Sequence, residues 1–236
     1  MALELDQLLT QSQADATNRF EAATKDLGAM FSYKAIIPAE PLGGGVIPVG
    51  FDIGVEVTAS QLANKDVWGE GVLPSGLDLD YLPVPKIHAH VGIPFGIDFG
   101  AVYSAIPGGD IAFAGGEVRY SFVSGNVAIP AVAVRGAYTT VLGVDQLDLT
   151  TKSVEISISK GFLMVTPYLG AGVVFVNSAL TAKDPTVALF LPEDQSLQMS
   201  KVFGGANLNL GLMNFAFEAD KTGDALAYSL KFGFRF

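Results

Sequence analysis

From Val49 to the end of the chain, apolar and polar residues alternate with a period of two, the pattern of strands with two unlike faces. Phe51, Ile53, Val55 and Val57 oppose Asp52, Gly54, Glu56 and Thr58. Ile87, Ala89 and Val91 oppose Lys86, His88 and His90, and after GIPFG the residues Ile97, Phe99, Ala101 and Tyr103 oppose Asp98, Gly100, Val102 and Ser104. Val118, Tyr120 and Phe122 oppose Glu117, Arg119 and Ser121; Val132, Val134 and Tyr138 oppose Ala131, Ala133, Arg135 and Thr139. The same alternation carries Val154, Ile156 and Ile158, then Val165, Leu169, Ala171, Val173 and Phe175, then Val202, Ala206, Leu208 and Leu210, then Met213, Phe215 and Phe217. The last strand, DALAYSLKFGFRF, sets Leu226, Tyr228, Leu230, Phe232, Phe234 and Phe236 against Ala225, Ala227, Ser229, Lys231, Gly233 and Arg235.

Residues 3–31 follow a different rule. Ala16, Phe20, Ala23, Leu27 and Phe31 recur every three to four residues, the stripe of an amphipathic helix, with Ser12 or Thr17 available as its cap. Pro38, Pro41, Pro48 and the run Gly43-Gly44-Gly45 then break any regular element. Residues 31–37 have the composition of a short strand.

Composition sharpens the strand reading. Mean hydropathy is +0.40 and half of the residues are hydrophobic, yet no run of 18 apolar residues forms a membrane helix. High hydrophobicity without a continuous run is what a membrane-spanning barrel requires, because lipid-facing and lumen-facing residues alternate. The expected fold is therefore all-β: an antiparallel transmembrane β-barrel of about ten strands, with twelve as the alternative, and a helical N-terminal segment. The expected division is residues 1–48 as that segment and 49–236 as the barrel. Counting back from Phe236, the long stretches 60–83 and 177–196 fall at one end and the short turns at the other, matching the asymmetry of such barrels. A leader for export is not visible at Met1-Ala2-Leu3-Glu4, so the sequence reads as a mature form. The net charge of −10 argues against nucleic acid. The absence of cysteine argues against disulfides and thiolate metal sites.

A final strand that stops on a terminal Phe resembles the C-terminal strand of bacterial outer-membrane barrels. On that resemblance Phe232, Phe234 and Phe236 form an assembly signal. The segment SQADATNRFEAATKDLGAMFSYKAIIPAEPLG followed by FDIGVEV, LPVPKIHAHVGIPFGIDFGAVYS and FEADKTGDALAYSLKFGFRF resembles outer-membrane barrels loosely related to FadL-like transporters of hydrophobic compounds. The resemblance implies a bacterial outer-membrane location and a broad transport role. Its implied partners are membrane lipid or lipopolysaccharide, the outer-membrane assembly machinery and a small hydrophobic ligand. It carries over no binding residue, and the chain is shorter than a fatty-acid transporter.

The candidate lumen residues are Asp52, Glu56, Lys86, His88, His90, Asp98, Glu117, Arg119, Arg135, Glu155, Lys201, Glu218, Lys231 and Arg235, with Lys152 counted among them. Either they pair with one another and fill the interior or they line a conduit and tune its selectivity. Inward Gly54, Gly100, Gly115, Gly170, Gly172, Gly205 and Gly233 leave room for solvent or for the N-terminal segment. His88 and His90 point the same way, but a metal needs three or four converging ligands, so no metal or other cofactor is expected. No catalytic residue is assigned, since the long loops hold no His for a rim dyad and no nucleotide or calcium motif occurs. Two functions follow: passive uptake of small, hydrophobic molecules, or a closed structural or adhesive barrel acting through its outer loops. The stripe of Ala16, Phe20, Ala23, Leu27 and Phe31 is expected to plug the barrel at its periplasmic mouth, near Gly205 and Gly233.

Overall fold

The computed structural model describes residues 13–43, 48–68, 81–105, 111–181 and 194–236. The strands are β1 Gly50–Gln61, β2 Tyr81–Ile93, β3 Ile97–Ala105, β4 Ala112–Val123 and β5 Ala131–Leu142, followed by β6 Leu147–Ser159, β7 Val165–Leu180, β8 Gln195–Leu210, β9 Met213–Thr222 and β10 Ala225–Arg235. Each pairs antiparallel with the next, and β10 pairs with β1, so the chain is a closed ten-stranded barrel. Closure follows from the alternation: every strand has one apolar face, and a closed sheet can turn all ten outward while leaving no edge along its wall.

One end of the barrel, here the terminal rim, holds Gly50, the C-terminal Phe236 and the short turns after β2, β4, β6 and β8. The opposite end, the loop rim, holds the connections after β1, β3, β5, β7 and β9. The ten-strand count and the outward faces follow the sequence pattern: Ile53, Ile87, Phe99, Val118, Val134, Ile156, Leu169, Val202, Phe217 and Leu230 are all exposed on the outer wall.

Several expectations are corrected. Residues 31–37 form no strand: Phe31 closes helix α1, Gln13–Phe31, and the following residues run on without regular structure. The twelve-strand alternative falls with them. The expected part of the helix at residues 3–12 lies outside the described residues, as does Ser12. β7 and β8 reach to Leu180 and back from Gln195, so the stretch 177–196 is partly strand; of the remainder, residues 182–193 lie outside the described residues. Lys152 is exposed on the outer wall beside Val154, because its parity is that of the outward-facing set.

The interior is layered. Towards the loop rim the inward side chains are apolar: Val84, Val102, Phe113, Leu149, Val174, Val176 and Met199 are buried in one cluster with Phe20, Leu27 and Phe31 of α1. Towards the terminal rim they are charged. Helix α1 therefore sits in the loop-rim half, where an apolar stripe finds an apolar wall, and not at the terminal mouth as its sequence suggested. Asn18 and Lys25 on its other side are exposed. The chain then descends through the lumen along residues 32–43, and Leu42 reaches Gly50 at the terminal rim.

Candidate functional site

Inward parity places the lumen carboxylates and cations on neighbouring strands, and the barrel's curvature brings them within reach. Lys231 on β10 lies 2.8 Å from Asp52 on β1, which lies 2.9 Å from His88 Nε2 on β2. The other ring nitrogen of His88 is 3.1 Å from Glu56, which also meets Lys86 at 3.1 Å. A second chain runs from His90, 3.2 Å from Glu117, to Arg135, which contacts both Glu117 and Glu155. Lys201 closes it at 2.9 Å from Glu155. Arg119 forks onto Asp98, and Tyr168 Oη donates to Glu218 at 2.9 Å. Of the fifteen candidate lumen residues, Lys152 included, thirteen are buried in this network or beside it. Arg235 is half-buried at the terminal rim, with its Nη1 unpaired.

This pairing is what a low-dielectric interior demands, since an unpaired buried charge costs several kcal/mol. It is not perfect. The carboxylates of Glu56 and Glu117 lie at ion-pair distance from their cations but make no aligned hydrogen bond. His88 and His90 are engaged by separate carboxylates. Among the described residues no group of three or more His, Cys, Asp or Glu has the geometry to hold a metal.

The network also grips the N-terminal segment. Thr139 Oγ1 donates to the Phe31 carbonyl at 2.8 Å, and Lys201 Nζ donates to the Tyr33 carbonyl at 2.8 Å. Tyr33 Oη lies 3.3 Å from His90 Nε2. Lys34 is fully inside and pairs with Asp220 at 2.9 Å. Lower down, Ser121 donates to the Ala39 carbonyl at 2.7 Å, and Arg119 donates to the carbonyls of Pro38 and Glu40. Asp98 accepts the Leu42 amide at 3.2 Å. A chain without secondary structure has unmet backbone groups, and buried ones must find partners. Here the wall's side chains supply them. Ile36 bends this thread with φ +49, a conformation rare for a β-branched residue, and its side chain is completely buried.

The stripe residues Ala16, Phe20, Ala23, Leu27 and Phe31 are all buried, and Phe31 packs on Phe113 with ring centroids 5.4 Å apart. They do not meet Gly205 or Gly233. A Cβ on Gly205 would strike the ring of Tyr168 at 2.7 Å, and one on Gly100 would strike His90 at 2.2 Å. Most inward glycines thus receive side chains from neighbouring strands; of those expected to leave space, Gly115 lies under Tyr33 of the thread.

Sequence reasoning missed the fastening of α1. Asp26 is buried and accepts the amides of Ala63 and Asn64 at 3.1 and 3.0 Å, Asn64 Nδ2 at 2.9 Å and Trp68 Nε1 at 2.7 Å. It lies off the helix's apolar stripe, where periodicity alone gives no sign of burial. The available signal was the single Trp68 in an otherwise polar stretch. Tyr33, Lys34, Tyr168 and Asp220 were also missed as partners. Phe232 and Phe234 face outward on β10, and Phe236 exchanges two backbone hydrogen bonds with Phe51 across the seam, at 2.6 and 2.9 Å.

No protein-family model matches the chain, and no curated protein does. Solved structures of small barrels align with it. The N-terminal barrel domain of Pseudomonas aeruginosa OprF is 11% identical over 80% of this chain and 98% of that one, with a TM-score of 0.37. Yersinia pestis Ail, the attachment invasion locus protein, is 15% identical over 80% and 97%, with a TM-score of 0.34. Neisserial surface protein A is 12% identical over 81% and 98%, with a TM-score of 0.31. These superpositions are loose, so the architecture stands on the chain's own strand pairing. The resemblance to FadL-like transporters gains no support from them.

Proposed function

We propose that this chain is an outer-membrane barrel held shut by its own N-terminal segment, and that it acts through the face presented at the loop rim. The observation that carries this reading is the occupied lumen: α1 fills the loop-rim half, and residues 32–43, gripped from β2, β3, β4, β8 and β9, run through the ion-paired rest. Support for a membrane setting comes from the outer wall. Along β10 and the residue after it the outward residues run from Leu226 to Phe236, which at about 3.3 Å per residue and a tilt near 40° spans roughly 25 Å, the height of a lipid-facing band. In that setting the terminal rim is periplasmic and the loop rim extracellular. The lipid, lipopolysaccharide and assembly partners belong to the same proposal.

Passive uptake of small hydrophobic molecules is the second reading. One observation favours it: no residue of α1 or of the thread pairs into the wall, whose ten strands close on themselves. The segment can therefore leave without opening the seam.

Single-channel recording in planar bilayers tests both. The full chain is expected to be silent, and a variant lacking residues 1–43 is expected to fold and conduct. Steady conductance from the full chain would refute the closed reading. Gating of the full chain by an added apolar compound would favour uptake.

A further inference from the structure

The wall is not level at the loop rim. β8 pairs with β7 from Gln195 to Leu208, but with β9 only from Lys201 onward. β9 stops at Thr222, and the Gly223 amide donates to the Ser200 carbonyl at 2.8 Å. Beyond that bond β8 continues through residues 195–199 with β7 on one side and, among the described residues, no strand on the other. In an extended chain the N–H and C=O of one residue point to the same side, and successive residues point to opposite sides. The Ser200 carbonyl points towards β9. The main-chain groups of Gln198 and Ser196 point the same way, into the gap above β9.

Such an edge is a template for another strand. Exposed edges are ordinarily guarded by Lys, Pro or a bulge. The run Gln195-Ser196-Leu197-Gln198-Met199-Ser200 has no charge and no Pro, and its pairing with β7 is regular. A cleft of about 270 Å³ lies beside it, lined by Gln198, Met199 and Ser200 on the β8 side and by Lys25, Asn64 and Asp224 across from them. Two carboxylates flank the edge, and Lys221 lies outward on β9 below it. Asp194 and Asp224 are exposed, while Lys25 is paired with Glu21 at 2.8 Å.

We propose that this edge of β8 docks an extended, basic segment of a partner protein by strand addition. The main chain of Ser196 and Gln198 supplies the hydrogen bonds, and Asp194 and Asp224 select Lys or Arg side chains. A second copy of this chain is the poorer occupant, because edge-to-edge pairing would bring two acidic flanks together and like charges across a strand pair are unfavourable. The proposal rests on the reading of the barrel as closed and working through its loop rim, and it names the partner for that face.

The test uses the full chain refolded in detergent and a fluorescent twelve-residue peptide of alternating Val and Lys, read by anisotropy. Saturable binding is expected, with the alternating Val and Glu peptide at least about tenfold weaker. Gln198→Pro removes an edge N–H without touching a bond to β7, and should weaken the Val–Lys peptide about tenfold while the folded barrel stays heat-modifiable on a gel. Asp224→Lys should erode the charge preference. Equal binding to Gln198→Pro, or no preference for the basic peptide, would overturn the proposal. So would concentration-dependent dimerisation abolished by Gln198→Pro, which would assign the edge to self-pairing. Conductance is recorded separately on the same protein, so loss of peptide binding by a silent barrel sinks this proposal alone.

Discussion

Trp68 Nε1 donates to Asp26 Oδ2 at 2.7 Å, so the chain's single tryptophan is tied to the helix that occupies its barrel. The same carboxylate accepts two amides at the end of β1, which folds the short 3-10 turn Lys65–Trp68 over α1. The helix and residues 63–68 of the first connection are thereby one unit.

Asp26→Ala is expected to release that unit. It leaves buried donors without an acceptor, at about 1–3 kcal/mol each. Trp68 then reports the release: its emission should shift to the red and become quenchable by acrylamide, while the strand content of the refolded barrel is unchanged. Unaltered Trp68 emission in Asp26→Ala would show that apolar packing alone holds the helix.

Arg119 is the corresponding fastening at the other end. It forks onto Asp98 and donates to two carbonyls of the thread, and Asp98 accepts the Leu42 amide. Arg119→Ala should cost roughly 3–5 kcal/mol, because it strands a buried carboxylate. The double variant Arg119→Ala with Asp98→Asn should recover part of that in urea unfolding. Arg119→Lys should not fully substitute, since a point charge cannot make the fork. Protease cutting between residues 32 and 43 in the single variant, with the wall intact, is the expected signature.

The strand register was legible because the outside of the wall and the lumen carry opposite preferences on successive residues, and Val134, Ile156 and Phe217 sit where that rule puts them. Two things were not legible for one reason. Past the apolar band the outward residues are polar and the inside meets α1, so the alternation changes sign. On β7 and β8 the inward Val174, Val176 and Met199 are apolar while the outward Asn177, Ser196 and Gln198 are polar. Read without that inversion, the ends of β7 and β8 look like loop, and the apolar cup that seats the helix goes unnoticed. The ion pairs of the lumen were predictable as a set, but partner choice depends on register between strands. That register put His88 against Asp52 and Glu56, and His90 against Glu117.

The two faces of the wall should respond differently to charge. Ile156→Arg places a cation in mid-band on the outside and should cost roughly 2–4 kcal/mol in lipid. Ser157→Arg points inward beside the paired ions and should cost less. Ala133→Arg, although inward, should be severe, because Ala133 packs against Ala39 of the thread. Unfolding in urea from lipid vesicles ranks the three. Equal damage from Ile156→Arg and Ser157→Arg would contradict the assigned faces.

Phe236 closes the seam as well as ending the chain. Its backbone exchanges two hydrogen bonds with Phe51, and their rings sit 5.4 Å apart. Deleting Phe236 should therefore slow barrel closure in detergent refolding, with no assembly machinery present. Phe236→Ala keeps the backbone bonds and should refold close to the parent rate. If Phe236→Ala fails only in cells, the ring serves recognition and the backbone serves closure.

Gly28 gives the sharpest contrast between local preference and packing. In an isolated helix Gly→Ala gains about 1 kcal/mol. Here a Cβ at Gly28 would lie 2.6 and 2.9 Å from the two methyl carbons of Val176, with Met199 at 3.2 Å. Val176 is fully buried on β7 and, being β-branched, has little rotamer freedom with which to retreat. Gly28→Ala should thus loosen α1 from the wall despite improving its helix propensity. Val176→Ala on its own should open a small void, and the pair together should restore seating. Trp68 emission and conductance follow the same order: loosened in Gly28→Ala, recovered in the double variant. Tighter seating in Gly28→Ala alone would mean that the helix does not approach β7 this closely.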